Sequence, residues 1–245
     1  FDLERRPGFG GKRDMLVGCY RSQKPLRHTP PGERRAIVIG AGIAGCLTAE
    51  RLAARGWQVE VLEAGDGPGC GASGNHAGVL RPHPSIDDNP IARLSRAGFL
   101  ATVQALHRLG STVRWAACGA LHLARDAEHE AMQARTVAAL GFPPEHLQFL
   151  DAAAASEKLG WPVPFGGWYF PEGGWVQPPS LCHAALAAHP QAITLRTQTT
   201  VARIEATASG WQALRSDDSL IASAPLMIIA GGVDATRFPQ LAWLP

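Results

Sequence analysis

Ten consecutive residues, Ala36-Ile37-Val38-Ile39-Gly40-Ala41-Gly42-Ile43-Ala44-Gly45, restrict the possible folds of this chain more than any other stretch. A short apolar run predicts a buried strand, and a Gly-x-Gly-x-x-Gly turn ends it. Beyond the turn a helical pattern runs to Gly56, and Val59-Glu60-Val61-Leu62-Glu63 predicts a second strand that ends on an acid. Each part has a physical task. Gly40 permits the tight turn, Gly42 leaves no side chain between backbone and a pyrophosphate, and Gly45 lets the helix lie close to the strand. The helix start offers free N–H groups and the positive end of its dipole to phosphates. Glu63 is placed to accept hydrogen bonds from ribose hydroxyls. The alternative is that these glycines only terminate elements of a ligand-free α/β domain. Strand, helix and acid all in register favour a dinucleotide-binding βαβ unit, without separating NAD from FAD.

The stretch from Ala64 to Gly78 is too rich in glycine for regular structure. Glycine lets backbone pass close against a ligand, and mixed with small polar residues it makes anion-binding nests. Ser73 and Asn75 add side-chain donors, and a further helix N-terminus is a candidate feature of the same stretch. We read a second cofactor loop, holding phosphate, ribityl chain or flavin ring, against the alternative of a flexible insertion.

The 245 residues, 46% hydrophobic, suffice for one large domain or two small ones. No apolar run is long enough to span a bilayer, and no signal-peptide pattern opens the chain. Cys19, Cys46, Cys70, Cys118 and Cys182 are dispersed with no Cys-x-x-Cys pair, which fits a reducing cytoplasm better than a disulfide scaffold. Cys46 reads as a core residue, and Cys70 as an ordinary loop cysteine. No metal or membrane partner is expected. The net charge of +2 is unevenly spread: residues 1–35 carry nine Lys/Arg against four Asp/Glu, the remainder fourteen against seventeen. A basic arm suits a polyanion, and equally a solvated linker. Two Gly- or Pro-rich patches, Pro7 to Gly11 and Thr29 to Gly32, favour a surface segment or linker there.

Arg81 to Pro90 is a polar, proline-stiffened loop in which Arg81 and His83 are candidates for contact with a substrate, a solvent-exposed loop being the alternative. Helical spacing from Ile91 to Leu109 follows, with Asp88 or Asn89 as cap and Gly110 as stop. Ala120–Leu123 predicts a strand, Ala127–Leu140 a helix ended by Gly141, and Asp151 caps a helix through Leu159. The aromatic stretch Trp161 to Phe170 lines a pocket or packs on a sheet edge. Pro178 and Pro179 suit the first turn of a helix running to Ala188. Strands are predicted at Thr199–Ala206 and Trp211–Arg215, and a buried strand from Leu226 stops on Ala230-Gly231-Gly232, small residues that leave a ligand room.

The Gly40–Gly45 turn, Glu63, the loop Gly71-Ala72-Ser73-Gly74-Asn75 with Ala77-Gly78, and the ending Ala230-Gly231-Gly232 together resemble the D-amino-acid-oxidase-like FAD enzymes, which include glycine and sarcosine oxidases. The run Gly71 to Gly78 followed by Arg81-Pro82, Asp87-Asp88-Asn89 and Ala92 to Gly98 is more narrowly similar to the flavin half of a family of bacterial bifunctional tRNA-modifying enzymes. Gly8 to Leu16 resembles the end of their methyltransferase domain. The resemblance implies an α/β fold: a Rossmann-like FAD-binding domain with an inserted α+β substrate subdomain. It divides the chain into a basic linker and methyltransferase tail (1–35), a first FAD-binding part (36–110), a substrate subdomain (111–170) and a return to the FAD-binding domain (171–245). In the family, further strands and a final FAD-contacting segment follow the position matching Pro245, so the chain reads as a fragment.

The resemblance assigns Gly40, Ala41, Gly42, Ile43, Ala44 and Gly45 to the pyrophosphate, and Glu63 with Ala64 to the ribose. Ala72, Ser73 and Asn75 go to phosphate or ribityl, Ala77 and Gly78 to the ring side, Ala230 and Gly231 to a second approach, and Val201 to a backbone contact with adenine. It implies removal of the carboxymethyl group from carboxymethylaminomethyl-uridine at the tRNA wobble position. Hydride passes from the N–CH2 carbon to flavin, water hydrolyses the imine to an amine and glyoxylate, and oxygen reoxidises the flavin. Methylation by S-adenosylmethionine belongs to a domain outside this chain. Related oxidases hold the substrate carboxylate with an arginine in a region beyond Pro245, which leaves Arg81 and His83 as the candidates here. The alternatives are a free amine or amino-acid oxidase, a non-catalytic tRNA-binding fragment, and an NAD-dependent dehydrogenase.

Overall fold

The structure, a computed structural model, describes residues 2–7, 14–19 and 32–241. It divides into two compact units, Phe1–Arg34 and Arg35–Pro245. The first holds strands β1 (Asp2–Pro7) and β2 (Asp14–Cys19), antiparallel from Asp2 opposite Cys19 to Pro7 opposite Asp14. Residues 1–35, read as a surface segment or linker with no sustained periodicity, thus contain two strands. The ribbon carries no alternating apolar pattern that would betray it. Its visible side-chain links are ion pairs, Arg5 with Asp14 and Arg6 with Glu4. The Gly8–Arg13 part of the methyltransferase-like motif and the Thr29–Pro31 patch lie outside the described residues.

In the second unit the predicted βαβ unit forms as β3 (Arg35–Ile39), α1 (Ile43–Ala53) and β4 (Gln58–Leu62). After the Gly-rich loop come β5 (Gly78–Leu80), α2 (Pro90–Leu109), β6 (Trp115–Ala116), β7 (Ala120–Leu123) and α3 (Ala127–Leu140). Then follow β8 (Gln148–Leu150), α4 (Ala152–Leu159), β9 (Gly167–Phe170), β10 (Gly174–Val176) and α5 (Pro178–Ala187). The last strands are β11 (Ile193–Arg196), β12 (Arg203–Thr207), β13 (Gly210–Leu214), β14 (Leu220–Ala224) and β15 (Leu226–Ile229). Side-chain caps explain three helix starts: Asn89, Asp126 and Asp151 each accept the N–H of the residue three positions on. Gly141 and Gly160 close α3 and α4 in the left-handed conformation.

A parallel sheet of order β11-β4-β3-β15 is the centre of the unit. Both faces of β3 are covered, which is why it reads as an unbroken apolar run. Ile37 and Ile39 point to one face, where Val201, Ile204, Ala213, Ile221 and Phe238 pack from the antiparallel meander β12-β13-β14 and its flanks. Val38 and Val61 point to the other, against Cys46 and Ala49 of α1 and Cys182 and Ala185 of α5. Two smaller sheets, β5-β10-β6 and β7-β9-β8, complete the unit. The first takes one strand from each of the three segments expected between 36 and 245.

Within the aromatic stretch Trp168, Tyr169 and Phe170 form part of β9, and Phe170 also lines a small cleft with Pro82, His83, Phe142 and His146. Trp168 and Phe170 are buried with Ala120 and Leu147, and the Trp168 indole N–H donates to the Gln133 carbonyl at 3.0 Å. The strand predicted from Thr199 begins later, at Arg203.

Glu50 of α1 is only 2% exposed and meets Arg108 of α2 at 3.0 Å, Arg51 at 3.4 Å and His189 beyond α5 at 3.8 Å. A buried carboxylate held by two arginines and faced by His189 joins α1, α2 and the segment after α5. We expect Glu50→Ala to lower unfolding free energy by about 2 kcal/mol, because a charge-assisted hydrogen bond is worth about 1.5–3 kcal/mol and partly exposed Arg108 recovers water. Urea denaturation of wild type and variant measures this. An unchanged midpoint would mean that the cluster contributes no stability.

Candidate functional site

The carboxyl ends of β3, β4 and β15 meet around the first glycine turn. Gly40 has φ +102°, and a Cβ there would lie 2.6 Å from the Ala230 carbonyl oxygen. Its N–H donates to Leu62 O at 2.8 Å, and Ala230 N–H donates to Ile39 O at 2.8 Å, so the turn is held from both neighbouring strands. A Cβ on Gly45 would overlap the Gly40 carbonyl, which fixes how closely α1 lies to β3. Gly42, the N-cap, has no such constraint: a Cβ there would meet only Ser73, with Oγ at 3.1 Å. At the start of α1, Ile43 N–H donates to Ser73 Oγ at 3.1 Å. Among the described residues the Ala44 and Gly45 N–H groups have no acceptor. Two unpaired N–H groups at the positive end of a helix, beside a position without a side chain, fit a pyrophosphate.

Glu63 leans back over the same turn. Its Oε2 accepts Ala41 N–H and its Oε1 accepts Gly65 N–H, both at 2.7 Å. Each oxygen keeps a further lone pair, the capacity a ribose diol needs. The backbone at Glu63 is fixed in turn by Thr199 N–H donating to its carbonyl at 2.8 Å, while Gln198 N–H donates to Gly65 O at 2.9 Å. These residues after β11 escape a sequence reading, because only the parallel pairing of β11 with β4 brings them here.

The second loop docks on the first. Gly69 N–H donates to Ala41 O at 2.8 Å, and the Ser73 hydroxyl caps α1. No helix starts between Ala64 and Ala77, so the expected second helix N-terminus is absent there, and the loop is built of turns and bends. Asn75 spends its amide on Ala72 O at 3.2 Å. Ala64, Ala72, Asn75 and Ala77 are exposed, and Gly78 opens β5 opposite Val176. Val201 is buried in the core beneath the sheet, and its carbonyl accepts Arg237 Nη2 at 3.2 Å. Ala230 and Gly231 stand against Gly40.

Arg81 and His83 belong to another group of residues. The Arg81 guanidinium lies 5.8 Å from the Phe170 ring centroid and donates to Pro82 O at 3.1 Å, and burial pulls its pKa down. His83 is exposed, with its N–H on Ser95 Oγ at 2.8 Å. No hydrogen bond joins either residue to the Gly40–Gly45 turn among the described residues. Among those same residues no cluster of His, Cys, Asp or Glu is arranged to hold a metal, and no helix is long and apolar enough to cross a membrane.

Residues 35–245 match the family described as FAD dependent oxidoreductase. The whole chain is 53% identical to the tRNA 5-methylaminomethyl-2-thiouridine biosynthesis bifunctional protein MnmC of Azoarcus sp. strain BH72 and covers 39% of it. The namesake protein of Ralstonia nicotianae is 43% identical over 99% of the chain, which covers 38% of that protein. The chain therefore spans well under half the length of these relatives. Among solved structures, iminodiacetate oxidase of Chelativorans sp. BNC1 superposes with TM-score 0.69 and 26% identity, over 84% of this chain and 57% of that one. Glycine oxidase of Geobacillus kaustophilus gives TM-score 0.69 at 24% identity, over 83% of this chain and 57% of that one, a likeness of fold.

Proposed function

We propose, from the premise that this chain belongs to the FAD-dependent oxidoreductase family, that it is the flavin-binding part of a larger enzyme that oxidises a C–N bond in tRNA. The observation that carries the reading is the hydrogen-bonded constellation of the glycine turn, Glu63 and Ser73, in a chain 53% identical throughout to a tRNA-modifying relative. The finer proposal is removal of the carboxymethyl group from carboxymethylaminomethyl-(2-thio)uridine at the wobble position. The product is the aminomethyl form, methylated later by a domain outside this chain, and the setting is cytoplasmic.

FAD, when bound, supplies the two-electron oxidant. The chain's residues bind and orient. Ala44 and Gly45 N–H groups hold pyrophosphate oxygens, and Gly42 keeps the approach open. Glu63 accepts the ribose hydroxyls from a carboxylate that Ala41 and Gly65 hold still. On this reading Ser73, with Ala72 and Asn75, would contact phosphate and ribityl, Ala77 and Gly78 the ring side, Ala230 and Gly231 the second approach, and the Val201 backbone adenine. The test is the absorbance spectrum of the purified chain, with the cofactor identified after heat release. We expect a flavin spectrum and released FAD. A colourless chain that takes up no added FAD would overturn the reading for this chain.

A second reading, oxidation of a free amine, is favoured by the likeness to iminodiacetate oxidase. Anaerobic mixing separates the two: bleaching of bound flavin by iminodiacetate, glycine or sarcosine supports the free-amine reading. Bleaching only by tRNA bearing the carboxymethylaminomethyl group supports the first.

A further inference from the structure

Sheet β7-β9-β8 pairs His122 with Trp168 and Ala120 with Phe170. Alternate residues of a strand share a face, so His122, Trp168 and Phe170 project to the same side. The His122 ring meets Trp168 edge-on at 5.7 Å, and the Arg81 guanidinium stands over Phe170 at 5.8 Å. An arginine and a histidine are thus held over neighbouring positions of one sheet face. Resting on the proposed function, we infer that Arg81 and His122, with His83 beside them, form a binding site for one carboxylate, that of an N-carboxymethyl amine.

Three observations support this. First, His122 Nδ1 is buried without a hydrogen-bond partner, whereas buried polar atoms nearly always have one. Second, Arg81 is partly buried, and its one hydrogen bond goes to the neighbouring Pro82 carbonyl. No carboxylate is within ion-pair reach of it among the described residues. A partly buried guanidinium without an acid lacks its usual counter-ion. Third, the titratable groups that act on His122 are all bases: Arg81 and His83 from the segment after β5, and His129 from α3. Burial first, and then these neighbours, lower its pKa.

His129 is already engaged. Its Nδ1 accepts Arg125 N–H at 3.3 Å and its Nε2 faces the Gln133 amide at 3.3 Å. Glu130 of α3 accepts the Gly166 N–H at 2.6 Å. A planar guanidinium plus one imidazole N–H matches the two oxygens and single charge of a carboxylate, while a phosphate dianion calls for more donors. Arg81 also follows directly on β5, whose first residue, Gly78, is assigned to the ring side of the cofactor. Three residues of extended chain span about 10 Å, near enough for a carboxylate at one end of a small substrate and its reacting carbon at the other.

The test is a titration of the full 245-residue chain, with and without FAD, by iminodiacetate, followed through the imidazole nitrogen resonances of 15N-histidine-labelled protein. We expect saturable shifts of the His122 nitrogens and a higher His122 pKa in the complex. Arg81→Gln and His122→Phe should each weaken binding about tenfold or more, the loss of one charge-assisted hydrogen bond. Arg81→Lys and His122→Asn serve where the first pair folds poorly, and His129→Gln should bind as wild type. Unmoved His122 resonances, or inorganic phosphate binding as tightly as iminodiacetate, would overturn the inference. The two readings fail separately. Flavin bound with His122 unmoved removes only the carboxylate site, and His122 shifted in a chain that takes up no FAD removes only the flavin reading.

Discussion

Gly45→Ala is expected to destabilise the chain by about 2–4 kcal/mol and abolish FAD uptake, whereas Gly42→Ala keeps its stability within about 1 kcal/mol and still loses FAD. The two substitutions are chemically identical and lie one helical turn apart, so the contrast isolates the environment. At Gly45 the new methyl group overlaps the Gly40 carbonyl and touches Ala230 Cβ at 3.4 Å. Neither neighbour is free to move, since Gly40 and Ala230 are tied to β4 and β3 by backbone hydrogen bonds. Helix α1 has to shift away from the sheet and loosen the packing of Cys46 and Ala49 on Val38 and Val61. The gain of about 1 kcal/mol from replacing a helical glycine is too small to offset that. At Gly42 the backbone is extended (φ −74°, ψ −177°), which alanine adopts without strain, and the methyl group meets only the Ser73 side chain. It does, however, stand where a phosphate has to approach the N–H groups of α1. Thermal unfolding and FAD binding, measured on both variants, check the pair. Wild-type FAD affinity in Gly42→Ala would remove the pyrophosphate from this turn.

Glu63→Ala is expected to have an effect of similar size, by a different route. The carboxylate accepts two backbone N–H groups at 2.7 Å, and each such bond to a charged acceptor is worth about 1.5–3 kcal/mol. Their loss frees Ala41 and Gly65 and thereby slackens the turn and the start of the second loop. Glu63→Gln keeps the shape but presents one donor to an N–H group, so we expect about half the stability loss. Linkage separates the structural part from the ligand part. FAD at a hundredfold excess over Kd stabilises a protein by about 2.7 kcal/mol, and a hundredfold weaker site leaves about 0.4 kcal/mol. Melting curves with and without FAD should show this increment nearly vanish in Glu63→Gln. An increment as large as in wild type would mean that Glu63 serves only the fold.

The parts legible in the sequence are those whose constraints are local. The β3–α1–β4 unit declares itself because β3 is buried on both faces and the turn after it needs glycine at fixed positions. Helices α3 and α4 declare themselves through Asp126 and Asp151 at their starts and Gly141 and Gly160 at their ends. Strands β5, β6, β8 and β10 have only two or three residues each, too few for a period to register, and they exist because distant partners pair with them. The ribbon β1–β2 was illegible for a related reason, its ladder being backbone and its visible pairs ionic. In the site, the glycine turn and Glu63 follow from spacing. That Ser73 caps α1 does not, since the cap comes from thirty positions along the chain. His122 does not stand out in the sequence, because alternation shows that it shares a face with Ala120, but not that Arg81 arrives above the same face.

The placement of β15 has a consequence for how the protein is made. Strand β3, near the start of the unit, is paired on one side with β4, which follows it closely, and on the other with β15, where Leu226 lies beside Ala36. A ribosome therefore releases β3, α1 and β4 long before the strand that covers the remaining edge. Until then Ile37 and Ile39 flank an open row of backbone hydrogen-bonding groups on a flat apolar strand, the kind of edge that recruits other chains. The wall of the turn formed by Ala230 arrives with the same late strand, so a nascent chain stalled before it would carry Gly40 and Glu63 yet have no finished place for a dinucleotide.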